Sequence, residues 1–198
     1  MARLRINKRI LILCEGATEY IYAKSLQMEL PRDLQRSVAI EIFYQIQNDP
    51  KSLAQEAHRR ERNAIKERNA YDTIWLFFDN DNWPQLGEAF TLIDKHGYRI
   101  AYTSICIEHW FVLHFENTGR SFTNGEEALR YLNRLWPQYH KTKVNAFAAL
   151  KDRLETAIER ANIINQNQEA GVAVHERNPY FTLQELISFF KQLKEEQQ

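Results

Sequence analysis

The apolar run Thr73-Ile74-Trp75-Leu76-Phe77-Phe78 ends abruptly in Asp79-Asn80-Asp81-Asn82. Two carboxylates placed directly after such a strand are costly unless that end is solvated or binds a cation. A polar loop with helix-capping aspartates is the alternative reading. Glu15-Gly16 follows a second apolar run, Arg9 to Cys14, in the same way, which strengthens the case for a cation. Oxygen-only donors suit a hard ion: Mg²⁺ keeps several waters and commonly takes one or two carboxylates plus a substrate phosphate. Mn²⁺ accepts the same ligand type. An ion held there would stabilise phosphoryl oxygens and a leaving group, or acidify a water nucleophile. Gly16 permits a sharp turn and close approach to a ligand, and Glu15 falls at a helix N-terminus, where the dipole favours negative charge. Helix electrostatics alone is the ordinary role for Glu15. Glu19 lies one turn later and is a secondary candidate.

Further candidates lie along the chain. Glu108, His109 and His114 share one aromatic stretch; Glu108 is a candidate catalytic member of the acidic centre, and His114 a candidate for phosphate or leaving-group chemistry. A packed core histidine is the plainer reading of His114, and Trp110, Phe111 and Phe115 read as core. Segment 51–70 carries six Lys/Arg against three Glu. Arg59 and Arg62 there are candidate phosphate contacts, against a solvated helix laced with i,i+4 pairs. Tyr139-His140-Lys141-Thr142-Lys143 is a second basic stretch, with Lys141 and Lys143 as candidate substrate contacts and an exposed loop as the alternative.

These residues need a scaffold, and the hydrophobic pattern supplies one. Arg9–Cys14, Val38–Tyr44, Thr73–Phe78 and Tyr98–Thr103 read as strands, the first and third continuous in the manner of strands buried on both faces. Helices are expected from the Glu15-Gly16 turn to Pro31, from Asp49 as cap to about Asn69, and from Gln85 to His96. Strands alternating with helices imply a mostly parallel sheet with right-handed crossovers, whose ligands gather at the strand C-terminal ends. Beyond Ser104 the pattern turns helical: Glu108–Phe115, Glu126–Trp136, Asn145–Ile164 and Leu183–Glu195. The expected division is an α/β core over 1–116 and a helical portion over 117–198.

At this point the chain is familiar. Leu11–Glu19, Trp75–Asp81, Ile105–Phe115 and Asn178-Pro179-Tyr180-Phe181-Thr182 together resemble the RloB-like family, in the family's order and over most of the chain. That family resembles the Toprim domain of topoisomerases, primases and OLD-type nucleases. The resemblance implies a Toprim-like fold, Glu15 as general acid/base or metal ligand, and Asp79 and Asp81 as Mg²⁺ ligands. It also implies a setting in bacterial restriction and anti-phage loci, with an ATPase of AAA or ABC type as partner. The family shows a similar Tyr-x-Lys element near Tyr139. One departure is clear: Ser104-Ile105-Cys106-Ile107-Glu108 lacks the Pro that the family carries after Asn, which bears on how the backbone places Glu108.

Composition bounds the rest. With 198 residues, 44% hydrophobic and 26% charged, the chain has the makeup of a globular protein. Its 26 Lys/Arg balance 26 Asp/Glu, so no global positive charge announces nucleic acid, although a local patch could still do so. The basic N-terminus with its short apolar run is neither signal peptide nor membrane span, so a cytoplasmic location is expected. Cys14 and Cys106 lack metal-ligand spacing and read as buried reduced thiols. Two functions remain. One is a Mg²⁺-dependent nuclease on DNA or RNA, tRNA included; the other is a non-catalytic Toprim-like subunit that binds an ATPase or nucleic acid. Oligomerisation with a second copy stays open.

Overall fold

The computed structural model describes residues 8–44 and 49–196; the basic segment before Lys8, and Asn48, lie outside the described residues. Four strands, β1 (Lys8–Cys14), β2 (Val38–Tyr44), β3 (Thr73–Asp79) and β4 (Arg99–Thr103), form one sheet in the order β2-β1-β3-β4, every neighbouring pair parallel. The chain steps from β1 to β2 on one side and then back across to β3. The strand order therefore reverses between β1 and β3, and this crevice is where open α/β sheets place their ligands.

The apolar strands are continuous because both faces are covered. Ile10, Ile12, Cys14, Trp75 and Phe77 pack with α1 (Ala17–Met28) and the C-terminal helices α8 (Leu154–Gln166) and α9 (Leu183–Glu195). Leu11, Leu13, Ile74, Leu76 and Phe78 point the other way, against α3 (Pro50–Lys66) and α4 (Leu86–His96). This is an α/β, Toprim-like arrangement with a parallel sheet between helical layers. The C-terminal helices are built into it: Phe181, Leu183, Leu186 and Phe190 belong to the same core as Ile10 and Trp75.

Local chemistry explains most element ends. Asp49 caps α3 by accepting the Ser52 backbone N–H at 2.8 Å, and Pro50 stands in the first turn, where no intrahelical donor is needed. Gly97, with φ 68°, closes α4 in the left-handed conformation. Two expected helices differ. The first stops at Met28, and a short α2 (Arg32–Ser37) begins after Pro31, whose extended backbone cannot continue a helix. The long helix from Asn145 is broken into α7 (Ala146–Leu150), a 3-10 turn (Lys151–Arg153) and α8. Between β4 and α7 lie α5 (Ile107–Val112) and α6 (Gly125–Leu135). Among the described residues no helix is long and apolar enough to cross a membrane, and both cysteines are free and buried.

Asn178–Thr182 seals the free edge of β4. Phe181 bridges Thr103 antiparallel, the Ser104 N–H donates to Tyr180 O, and the Thr182 N–H donates to Tyr102 O, each of these two bonds 2.8 Å long. The Asn178–Pro179 bond is cis. The Asn178 amide donates to Phe122 O at 2.8 Å, so this segment also ties down the loop that leads to α6.

Candidate metal centre

β1 and β3 run side by side with Cys14 opposite Phe77, and the Glu15 N–H extends the ladder by donating to Phe77 O at 2.8 Å. This register delivers Glu15 to the end of β3. Its Oε2 accepts the Asp79 backbone N–H at 3.0 Å, and its Oε1 accepts the Trp83 indole N–H at 2.9 Å. The Glu15 carboxylate thus points across the β1–β3 crevice into the Asp79–Asp81 loop.

Charge gathers there. Burial, opposed by those two hydrogen bonds and reinforced by Glu19 and Asp81, pushes Glu15 up to about 8. Burial also lifts Glu19 to about 7; Glu108 adds to the shift, while Lys141 and the backbone N–H groups of Gly16 and Glu19 oppose it. Asp79 rises well above the carboxylate range through burial and then through Glu15, Glu19, Asp81 and Glu108. Five carboxylates from β1, α1, the β3 loop and α5 therefore share one electrostatic neighbourhood.

Gly16 serves this cluster by lacking a side chain. Its φ of −142° is open to any residue, but a Cβ would stand 2.9 Å from Glu19 Oε2. The space it leaves receives the Glu19 carboxylate at the first turn of α1. Asp81 has φ 34° and Asn82 φ 56°, a left-handed pair that bends the loop back; the Asp81 N–H donates to Ile105 O at 2.9 Å.

Glu108 is fully buried on the first turn of α5. Its Oε1 accepts the Tyr139 hydroxyl at 2.9 Å and lies 3.4 Å from Lys141 Nζ, while its Oε2 is buried without a hydrogen-bond partner. Burial opposes the Lys141 charge, yet Glu108 outweighs it and raises the ammonium pKa. The Cys106 thiol is pushed up by burial and by Glu108, which keeps it protonated and a poor metal ligand.

The donor set fits a hard ion. It consists of carboxylate oxygens, one of them orphaned, with one nearby ammonium to balance the charge. Among the described residues, no three of these carboxylates bring donor atoms within 4.8 Å of one another; only His58, Glu61 and His96 do so.

A family model described as RloB-like protein matches residues 10–190. The chain belongs to the RloB-like family. No curated protein sequence and no solved structure matches it. At the position where the resemblance leads us to expect Pro, Ile105 stands at φ 69°, a conformation closed to proline and strained for a β-branched residue. The departure leaves Glu108 inside the acidic neighbourhood, because Ile105 is buried and its carbonyl is tied to Asp81.

The remaining candidates separate by position. Lys141 joins the cluster, and Lys143 lies exposed in the same loop, held only through backbone bonds to His140 and Lys141. His114 sits apart: its Nδ1 bonds Trp110 O at 3.1 Å, its ring packs on Trp110, and the charged groups that reach it are Arg153 and Arg160. Burial lowers it to about 4, so it is a neutral core histidine. Arg59 is committed to Glu56, and α3 runs away from the strand C-terminal ends, so Arg59 and Arg62 lie roughly 15 and 20 Å down the helix from its cap. They stand far from the carboxylates. Trp83, which holds Glu15, carried no chemical signal in the sequence, since an aromatic in a loop reads as packing until its polar tip is seen to find a carboxylate; Tyr139, which holds Glu108, stood in the basic stretch already singled out for its lysines.

Proposed function

We propose that this RloB-like chain is a Mg²⁺-dependent phosphodiesterase that cleaves nucleic acid. The observation that carries the reading is the reach of Glu15 from β1 across to the Asp79 N–H on β3, at the point where strand order reverses. Asp79 and Asp81 would hold the ion, with Glu15 as the third carboxylate, and the bound ion would neutralise phosphoryl oxygens as charge builds on them. The chain's own groups do the rest. Trp83 and the Asp79 N–H fix the Glu15 carboxyl in one orientation. Tyr139 fixes Glu108, and Glu108 in turn holds the Lys141 ammonium over the cluster, where it can meet a phosphate oxygen. Lys143 extends that positive edge. An open groove lined by Asn80, Asn82, Trp83, Gln85, Glu88 and His175 adjoins the Asp79–Asp81 loop.

The test is cleavage of labelled tRNA, single-stranded DNA and plasmid with Mg²⁺, Mn²⁺ or EDTA, by the wild type and by Asp79→Ala and Glu15→Ala. Cleavage that needs the metal and both carboxylates is expected, with losses of at least a hundredfold. Equal cleavage by all three proteins would expose a contaminant. Mg²⁺ binding without cleavage on any substrate would favour a metal-binding subunit that works with an ATPase.

A further inference from the structure

A second cluster of metal-binding side chains lies at the other end of the sheet. α4 returns from the Asp79–Asp81 loop toward the strand N-termini, and His96 is its last residue. α3 runs the same way beside it, with His58 and Glu61 one turn apart on a shared face. The donor atoms of His58, Glu61 and His96 all lie within 4.8 Å of one another.

Three features distinguish this cluster from an incidental surface group. His58 Nδ1 is buried with no hydrogen-bond partner; it stands 3.5 Å from Glu61 Oε2 without the geometry of a bond. The His58 and His96 rings are 4.1 Å apart and 29° from parallel, so the two imidazoles stand side by side where α3 meets α4. Finally, Tyr98 stacks on His96 at 5.4 Å and donates its hydroxyl to Glu61 Oε2 at 2.6 Å, so two of the ligands are already oriented by an outer partner.

We propose that His58, Glu61 and His96 form a transition-metal site of Zn²⁺ type that clamps α3 to α4. Two imidazoles and a carboxylate make a three-ligand shell whose fourth position takes water. Tetrahedral Zn²⁺ with bonds of about 2.0–2.1 Å needs its donors roughly 3.4 Å apart, a contraction that rotation of the two half-buried imidazoles provides. Nitrogen donors separate this site from the oxygen-only centre: Zn²⁺, Co²⁺ and Ni²⁺ suit imidazole, whereas Mg²⁺ does not. The clamp joins the middle of α3 to the C-terminal end of α4.

The experiment uses the full chain stripped with chelator and then held in millimolar Mg²⁺, so that the oxygen centre is saturated. Zn²⁺ is titrated against a chromophoric chelator, Co²⁺ is added in parallel for its visible ligand-field absorption, and thermal melts are recorded with and without Zn²⁺. One bound equivalent, a Co²⁺ spectrum of low coordination number and a Zn²⁺-dependent rise in Tm are expected. His96→Gln and Glu61→Gln should each weaken Zn²⁺ at least tenfold and alter the Co²⁺ spectrum, while Asp79→Asn leaves both unchanged. Circular dichroism in chelator confirms that each variant is folded, and the two act on different helices, so one suffices should the other fail to fold. Absence of a bound equivalent in the wild type, an unchanged affinity in folded variants, or loss of binding in Asp79→Asn would each overturn the site.

Discussion

Glu15 commits both carboxylate oxygens to neighbours, the Asp79 N–H and the Trp83 indole, and is still held near 8 by burial among other carboxylates. Such a group stores repulsion. Its folded pKa, like that of Glu19 near 7, lies above the unfolded value, so between about pH 4.5 and 8 the folded chain binds more protons than the unfolded one. This contribution to stability is complete at low pH and disappears as pH rises through 7 and 8. In EDTA at pH 8, Asp79→Asn should therefore stabilise the fold by about 1 kcal/mol, or roughly 2–4 °C in a thermal melt, while eliminating cleavage. An unchanged or lower Tm would show that the carboxylates do not repel. His114 acts with the opposite sign. Its folded pKa of about 4 lies below the ordinary 6.5, so stability is complete above 6.5 and falls as pH drops toward 4. The loss attributable to His114 is on the order of 3 kcal/mol. Urea melts of His114→Gln between pH 7 and 4 should show a shallower acid slope than the wild type.

At the level of elements, one hydroxyl reinforces the backbone bonds that cover the edge of β4. Thr182 Oγ1 accepts the buried Tyr102 N–H at 2.9 Å and donates to Ile100 O at 3.0 Å, joining the Asn178–Thr182 segment to the strand that leads into Ser104 and Glu108. Thr182→Val keeps the shape and orphans the Tyr102 N–H. A loss of about 1–3 kcal/mol is expected in urea denaturation. The α3 cap is a cheaper site: Asp49→Ala, which removes the bond to Ser52, should cost about 1 kcal/mol. Strands β1 and β3 were readable because each is apolar on both faces, and a run so patterned has few alternatives to the middle of a parallel sheet; β2 and β4, at the outside of the order, were readable from their β-branched and aromatic residues. Pro31 marked the end of the first helix, but the short α2 after it and the break at Lys151 were not readable, because a helix that stops and restarts keeps much the same hydrophobic spacing.

Over the whole molecule, formal charge is balanced, so binding to nucleic acid must come from a local edge rather than a global field. With Lys141 and Lys143 as the contacts, log K against log salt should have a shallow slope, roughly −1.4 to −1.8, and Lys143→Ala should reduce it by about 0.7–0.9. A steep slope in fluorescence anisotropy would mean that other cations carry the strand. From residues alone, the carboxylates after the apolar strands, the alternation of strands and helices, and the RloB-like blocks could be recognised, because hydrophobic periodicity and abrupt polarity changes are local. Only the tertiary structure decided that β1 and β3 are neighbours at the reversal of strand order, that Trp83 and Tyr139 hold the acids, that His114 turns toward arginines, and that His58 meets His96. Each of these depends on which element packs beside which, a matter settled by the burial of whole faces rather than by any short stretch of chain.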